Sequence, residues 1–343
     1  MVGNRQPRVP LHVRYGTRSE RPASETVRFH CEAFSEDVRS APGPPMHPQP
    51  AERTRRGPSN ASLRRLEDNL TAIRNRMEAA RTHGSRGSPG PVTLVAVTKA
   101  APPGGIELLA QIGRGIGDGV IDVGENRVLD AAAKRAAGPR NLRWHGIGHL
   151  QTNKARKAVE TFEVFHALDS LHLADRLEAI LAEGGRSLPV YVQVNAARDP
   201  AKSGISCEEA AAFLRALADR PHLDVVGWMT MARDVGASGG RPSASRDART
   251  IEEGDAASTR SAFAALRAVR DDVVKSGIGR VPAAGLSMGM SDDFEIAVEE
   301  GATCVRIGRA IWAGIEPVAS GDVAAGDETA PSVPRAMPRR GRT

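Results

Sequence analysis

Aromatic residues are scarce in this chain, 3% of 343 residues with two tyrosines among them, so the core must rest mainly on aliphatic side chains. Cysteine is scarce as well. The three thiols, Cys31, Cys207 and Cys304, are far apart and odd in number, which argues against a disulfide framework or a zinc knuckle and for a reducing compartment. No apolar run approaches the roughly 20 residues of a membrane helix, and the arginine-rich start lacks the apolar centre of a signal peptide. These absences predict a soluble, cytoplasmic protein with no membrane partner.

A basic structured face is missing too. The net charge of +6 sits at the ends, because residues 1–60 hold ten arginines against six acids, and Arg335, Arg339, Arg340 and Arg342 lie in the last stretch. A near-neutral middle does not suit a groove-binding domain, so no nucleic-acid partner is expected. Residues 1–59 carry no hydrophobic period, and Ala41-Pro42-Gly43-Pro44-Pro45 within them cannot form a helix. They are predicted to be a disordered extension. Residues 317–343, rich in Pro, Ala, Gly and Arg, are predicted to be a disordered tail.

What remains, residues 60–316, alternates strand and helix. Asn60-Ala61-Ser62 offers a cap, and Leu63, Leu66, Leu70, Ile73 and Met77 recur at helical spacing through Arg81. The first strand, Val92 to Thr98, is an aliphatic and β-branched run that ends in Lys99 and is stopped by Pro102, Pro103, Gly104 and Gly105. Further strands are expected at 120–124, 142–148, 163–168, 189–195, 223–230, 282–287 and 303–307, each followed by a helix-like segment. Eight such units predict a TIM (β/α)8 barrel with an extra N-terminal helix and flexible tails. A doubly wound sheet is the alternative, but the glycine run at 113–117 precedes a strand instead of following the first one. Residues 236–254, rich in Gly, Ser and Arg, read as a mobile insertion.

A lysine at the carboxyl end of a buried strand stands where barrels keep their chemistry, and partial desolvation there would free its amine to attack a carbonyl. A solvated strand-end lysine is the plain alternative. The other strand ends are polar as well: Gly124-Glu125-Asn126-Arg127, Trp144 to Lys154, His166-Ala167-Leu168-Asp169, Gln193-Val194-Asn195 with Lys202, Leu286 to Ser291, and Val305-Arg306-Ile307-Gly308. His145, His149 and His166 lie on different strand ends without the tight spacing of a zinc site. No metal is expected.

Lys99, Gly124 to Arg127, Trp144 to Lys154, Leu286 to Asp292 and Val305 to Gly308, in that order, resemble the pyridoxal phosphate homeostasis proteins over about residues 60–315. The resemblance implies a barrel like the N-terminal domain of alanine racemase, binding the vitamin B6 cofactor pyridoxal 5'-phosphate (PLP) as a Schiff base on Lys99. It implies phosphate loops at Ser287, Met288 and Gly289 and at Gly308 and Arg309, the two glycines allowing close backbone approach and Ser291 capping the next helix. Arg306 corresponds to an arginine at the pyridine nitrogen, where a donor-only guanidinium weakens the ring as an electron sink. The resemblance places Asn126 and His149 beside the cofactor, His145 and His166 in the core or rim, and Lys202 at the mouth; an ordinary first-turn helix residue is the alternative for Asn126 and a solvated loop lysine the equal alternative for Lys202.

Three positions depart from the family pattern. Arg309 replaces a small hydroxyl residue, Trp312-Ala313 stands for a pair such as Phe-Gly, and Gly146 replaces a bulkier apolar residue. The second domain that gives related racemases a tyrosine base is not seen, and the two tyrosines are Tyr15 in the extension and Tyr191 on a strand. The expectation is therefore a monomeric PLP carrier that buffers or delivers the cofactor, with PLP-dependent apo-enzymes as its partners and without robust turnover. An amino-acid racemase or decarboxylase is the alternative.

Overall fold

In the computed structural model, the described residues are 58–84, 90–114, 119–232, 248–278 and 283–318. Eight strands form a closed barrel in chain order, and every neighbouring pair, including the first with the last, is parallel. They are β1 (Thr93–Val97), β2 (Ile121–Glu125), β3 (Leu142–Gly146), β4 (Val164–Leu168), β5 (Leu188–Gln193), β6 (Leu223–Met229), β7 (Gly285–Ser287) and β8 (Cys304–Ile307). The helices are α1 (Pro58–His83) before the barrel, then α2 (Gly105–Gly113), α3 (Val128–Ala137), α4 (Ala155–Thr161), α5 (Leu171–Gly184), α6 (Ala210–Ala216), α7 (Ala248–Ser276), α8 (Phe294–Glu299) and α9 (Arg309–Trp312). Each predicted strand is present. The predicted barrel and the extra leading helix are both found.

The few aromatics go where volume is needed. Trp144, Trp228, Phe165, Phe263 and Phe294 are the largest fully buried side chains, so the core is aliphatic in number but takes its bulkiest members from the few aromatics. The predicted insertion at 236–254 ends differently from expectation. Residues 248–254 already belong to α7, while 236–247 lie outside the described residues, as do the predicted extension up to residue 57 and the predicted tail from 319.

The leading helix fastens one side of the barrel. Leu66, Leu70, Ile73 and Met77 are buried along one face of α1, at the 3.6-residue period that the sequence shows. Its polar residues then grip the last two β/α units: Asn69 Nδ2 donates to the carbonyls of Ile311 and Ala313, both at 2.9 Å, and Arg76 forms a two-pronged pair with Glu295 at 2.8 Å. The stretch Asn60-Ala61-Ser62, expected to offer the cap, lies inside the helix, and the Ser62 hydroxyl donates to Glu316 O at 3.2 Å. The helix begins earlier, at Pro58, a residue suited to a first turn because it needs no N–H partner. Among the described residues, no helix is long and apolar enough to cross a membrane.

Candidate cofactor-binding site

Lys99 follows β1 in a single 3-10 turn, Thr98–Ala100. Its side chain is exposed, so the partial burial expected of it is not observed. What surrounds it is tied together by hydrogen bonds. The buried Glu125 carboxylate accepts from Thr98 Oγ1 at 2.9 Å, from Lys134 Nζ at 2.5 Å and from the Asn126 N–H at 2.9 Å, and Lys134 also donates to Thr98 O at 2.9 Å. One carboxylate thus locks the backbone beside Lys99 to the backbone of Asn126. Lys134, on α3, has no signal in the sequence, because a lysine in the last turn of a helix carries no local sign of what lies beneath it.

The neighbouring strand end meets Lys99 from the other side. β1 pairs with β8, Ala96 opposite Ile307, so Gly308 and Arg309 emerge next to the Lys99 turn. Trp312 Nε1 donates to Val97 O at 2.7 Å and is nearly buried, which gives this departure from the family pattern a structural task. Gly146 is explained as well: a Cβ there would stand 2.6 Å from the Phe162 ring, leaving no room for a bulkier residue.

The loops after β7 and β8 are joined. Gly289 adopts φ +96°, and a Cβ would sit 2.6 Å from Ala297 Cβ, so α8 itself requires glycine there. Gly308 has φ −116°, which any residue adopts, and its Cβ direction meets Val97 at an ordinary 3.4 Å. Met288 is fully buried, and its N–H donates to Cys304 O at 3.1 Å, so this N–H serves the barrel. Ser291, expected to cap α8, accepts instead from the Ala310 N–H of the last unit at 3.5 Å, while Asp293 Oδ1 accepts from the Met290 N–H at 2.5 Å. Arg309 pairs with Asp292 in the open.

Ser287 and Arg306 meet directly. Arg306 Nη1 donates to Ser287 Oγ at 2.7 Å and Nη2 to Thr230 O at 3.0 Å, both within the barrel. Burial draws the guanidinium below its ordinary range, opposed by Cys304, Asp293 and Tyr191 nearby. Asp293 is pushed above the usual carboxylate range by burial, against the pull of the Met290 N–H and Arg306.

Other expected residues lie apart from this pair. His149 is exposed, and its Nδ1 sits 3.0 Å from Asp169 Oδ2 beside a hollow of about 450 Å³ lined by Gln151, Thr152, Asn153 and Ser170. Asn126 lies exposed in the turn before α3, pressed by Gly148, whose Cβ would fall 2.5 Å from Asn126 O. Lys202 Nζ donates to the Ala232 carbonyl beyond β6. His145 and His166 are buried and bonded to each other, Nδ1 to Nε2 at 2.8 Å, so each nitrogen faces its neighbour through a proton, a geometry that leaves no room for a metal between them.

The sequence profile described as "Alanine racemase, N-terminal domain" matches residues 68–316. A pyridoxal phosphate homeostasis protein from Pseudomonas aeruginosa is 34% identical over 248 residues, 72% of this chain and 94% of that protein. The protein of the same name from Escherichia coli K12 is 33% identical over 251 residues, covering 72% and 95%. This chain belongs to the pyridoxal phosphate homeostasis protein family. Among solved structures, PipY of Synechococcus elongatus without PLP shares 33% identity with a TM-score of 0.55, covering 70% of this chain and 99% of PipY. PipY with PLP bound matches at the same identity and coverage with a TM-score of 0.53. The polar strand ends of this member of the family therefore stand on a barrel shared with a protein solved with PLP.

Proposed function

We propose that this barrel binds PLP as a Schiff base on Lys99 and buffers or delivers it inside the cell, without robust turnover. The observation that carries the reading is the setting of Lys99: an exposed amine with no hydrogen-bond partner among the described residues, on a turn clamped by Glu125 and flanked by Gly308 and Arg309. When bound, PLP supplies the aldehyde carbon with which a lysine amine condenses, releasing water. The protein supplies position and charge around it.

The remaining residues fit the group by chemistry. The joined loops at Ser287 to Gly289 and at Gly308 and Arg309 flank the place for the phosphate, with Met288 as their buried footing. Gly308 supports this because a Cβ there would meet Val97 first among the described residues, at an ordinary 3.4 Å. Arg306 faces the ring nitrogen as a pure donor, which disfavours carbanion chemistry. Asn126, locked through Glu125, and His149, held by Asp169, border the ring. Tyr191 lies stacked on His166 inside the barrel, centroids 4.4 Å apart, which supports a carrier over a two-base racemase.

The test is spectroscopic. The full chain mixed with PLP develops a visible absorption band that Lys99→Ala lacks. A protein that stays colourless sinks the reading of PLP binding, and sustained α-proton exchange of L-alanine by the loaded protein sinks the reading of a carrier.

A further inference from the structure

Inside the barrel an unbroken polar chain runs from β2 to β8. Arg143 grips Asp122 from β3, Nη2 to Oδ2 at 2.8 Å, and Asp122 Oδ1 lies 2.7 Å from His145 Nε2. His145 Nδ1 lies 2.8 Å from His166 Nε2, and His166 Nδ1 lies 2.8 Å from Ser287 Oγ across the lumen. Ser287 Oγ in turn accepts from Arg306 Nη1 at 2.7 Å. TIM-barrel interiors are usually packed with branched aliphatic layers, so six linked polar side chains in this one call for a reason.

With both imidazoles neutral, the ends fix the direction of the middle. A guanidinium only donates and a carboxylate only accepts, so Ser287 Oγ receives a proton from Arg306 and His145 Nε2 gives one to Asp122. A neutral His145 then has a bare Nδ1, which must accept from His166 Nε2–H. A neutral His166 is left with a bare Nδ1, which accepts the Ser287 O–H. Every link is made once, with no two donors facing each other.

We propose that Asp122, His145 and His166 are positioning residues for Arg306, forming a one-way hydrogen-bond chain that draws the Ser287 hydroxyl proton toward His166, leaves the oxygen's lone pairs turned to the guanidinium and so fixes how Arg306 faces the cofactor ring. The inference rests on the reading of Arg306 as the ring-nitrogen partner. Three facts support it. Burial, with His145 and Arg306 nearby, holds the His166 imidazole well below its usual range and hence neutral. Burial raises the Asp122 carboxyl, but bonds from His145 and Arg143 outweigh that and bring it down to about 2, so it stays an acceptor. Tyr191 stacked on His166 fixes the plane of that ring.

Nitrogen-15 NMR of histidine-labelled full chain, recorded first without PLP, reads the proton positions directly. The expected result is that His145 and His166 each carry one proton, on Nε2. A doubly protonated His145, or a proton on His166 Nδ1, overturns the chain's direction. The second measurement is PLP affinity. His166→Leu cuts two links and weakens binding about tenfold, the scale of one lost buried hydrogen bond, whereas His166→Gln, whose amide can both donate and accept, restores most of it. Glu300→Gln serves as the control, because it breaks the pair with Arg267 outside the barrel, lowering the melting temperature while sparing affinity. Unchanged affinity in His166→Leu overturns the positioning role. If the wild-type chain binds no PLP at all, the proposed function fails, yet the PLP-free spectrum still decides the direction of the chain.

Discussion

Adjacent residues on the same strands face two different environments. Val123, Trp144, Phe165, Leu286 and Val305 are buried in the sleeve between strands and helices; their neighbours Asp122, His145, His166, Ser287 and Arg306 line the lumen and bond to one another. The sleeve holds the fold by area and shape, where any well-fitted apolar side chain serves. The lumen is held by donors and acceptors that must match one by one, so its composition follows from the site it supports.

That contrast can be broken by substitution, starting with the sleeve. Leu177→Ala empties a fully buried position on α5 and should cost about 2–5 kcal/mol in chemical denaturation while leaving PLP affinity intact. An equal loss of affinity would show that the two regions are not separable. The two loop glycines divide along the same line. Gly289→Ala, with φ +96° and a Cβ 2.6 Å from Ala297, should destabilise the PLP-free protein by roughly 1–3 kcal/mol. Gly308→Ala should leave that stability unchanged and weaken PLP binding, as titration of the visible band would read.

The lumen makes its own pH signature. Asp122 titrates at about 2 when folded against 3.8 as its ordinary value, so its contribution is present above 3.8 and is lost as pH falls through 2. The shift corresponds to about 2 kcal/mol. Asp122→Asn should therefore lower stability at pH 7, and the gap from wild type should close between pH 4 and 2. A gap that persists at pH 2 would mean that packing, not charge, is what the substitution removes. The smallest effect is expected at Arg309→Ala, whose pair with Asp292 is largely exposed and should contribute less than about 1 kcal/mol to the melt.

The sleeve was legible in the sequence and the lumen much less so. Strand runs such as Val92 to Thr98 announce burial on both faces, and the spacing of Leu66, Leu70, Ile73 and Met77 announces α1, because apolar periodicity is a local signal. His145 and His166 could be assigned only to core or rim, since no spacing rule states that β3 and β4 set them 2.8 Å apart. A signal was present in the alternation: Asp122 with Gly124, Arg143 with His145, and Ser287 all fall on the inward phase of their strands. Which polar residue meets which across the lumen depends on closing the barrel. Lys134 and the Ser291 contact with Ala310 likewise join segments that only the fold brings together.

The most direct test is reductive trapping. Full-length protein is loaded with PLP, treated with borohydride, digested and mapped by mass spectrometry. The pyridoxyl label is expected on Lys99; a label found instead on Lys134, Lys202 or another lysine, or no label at all, would refute the assignment of Lys99 as the tether.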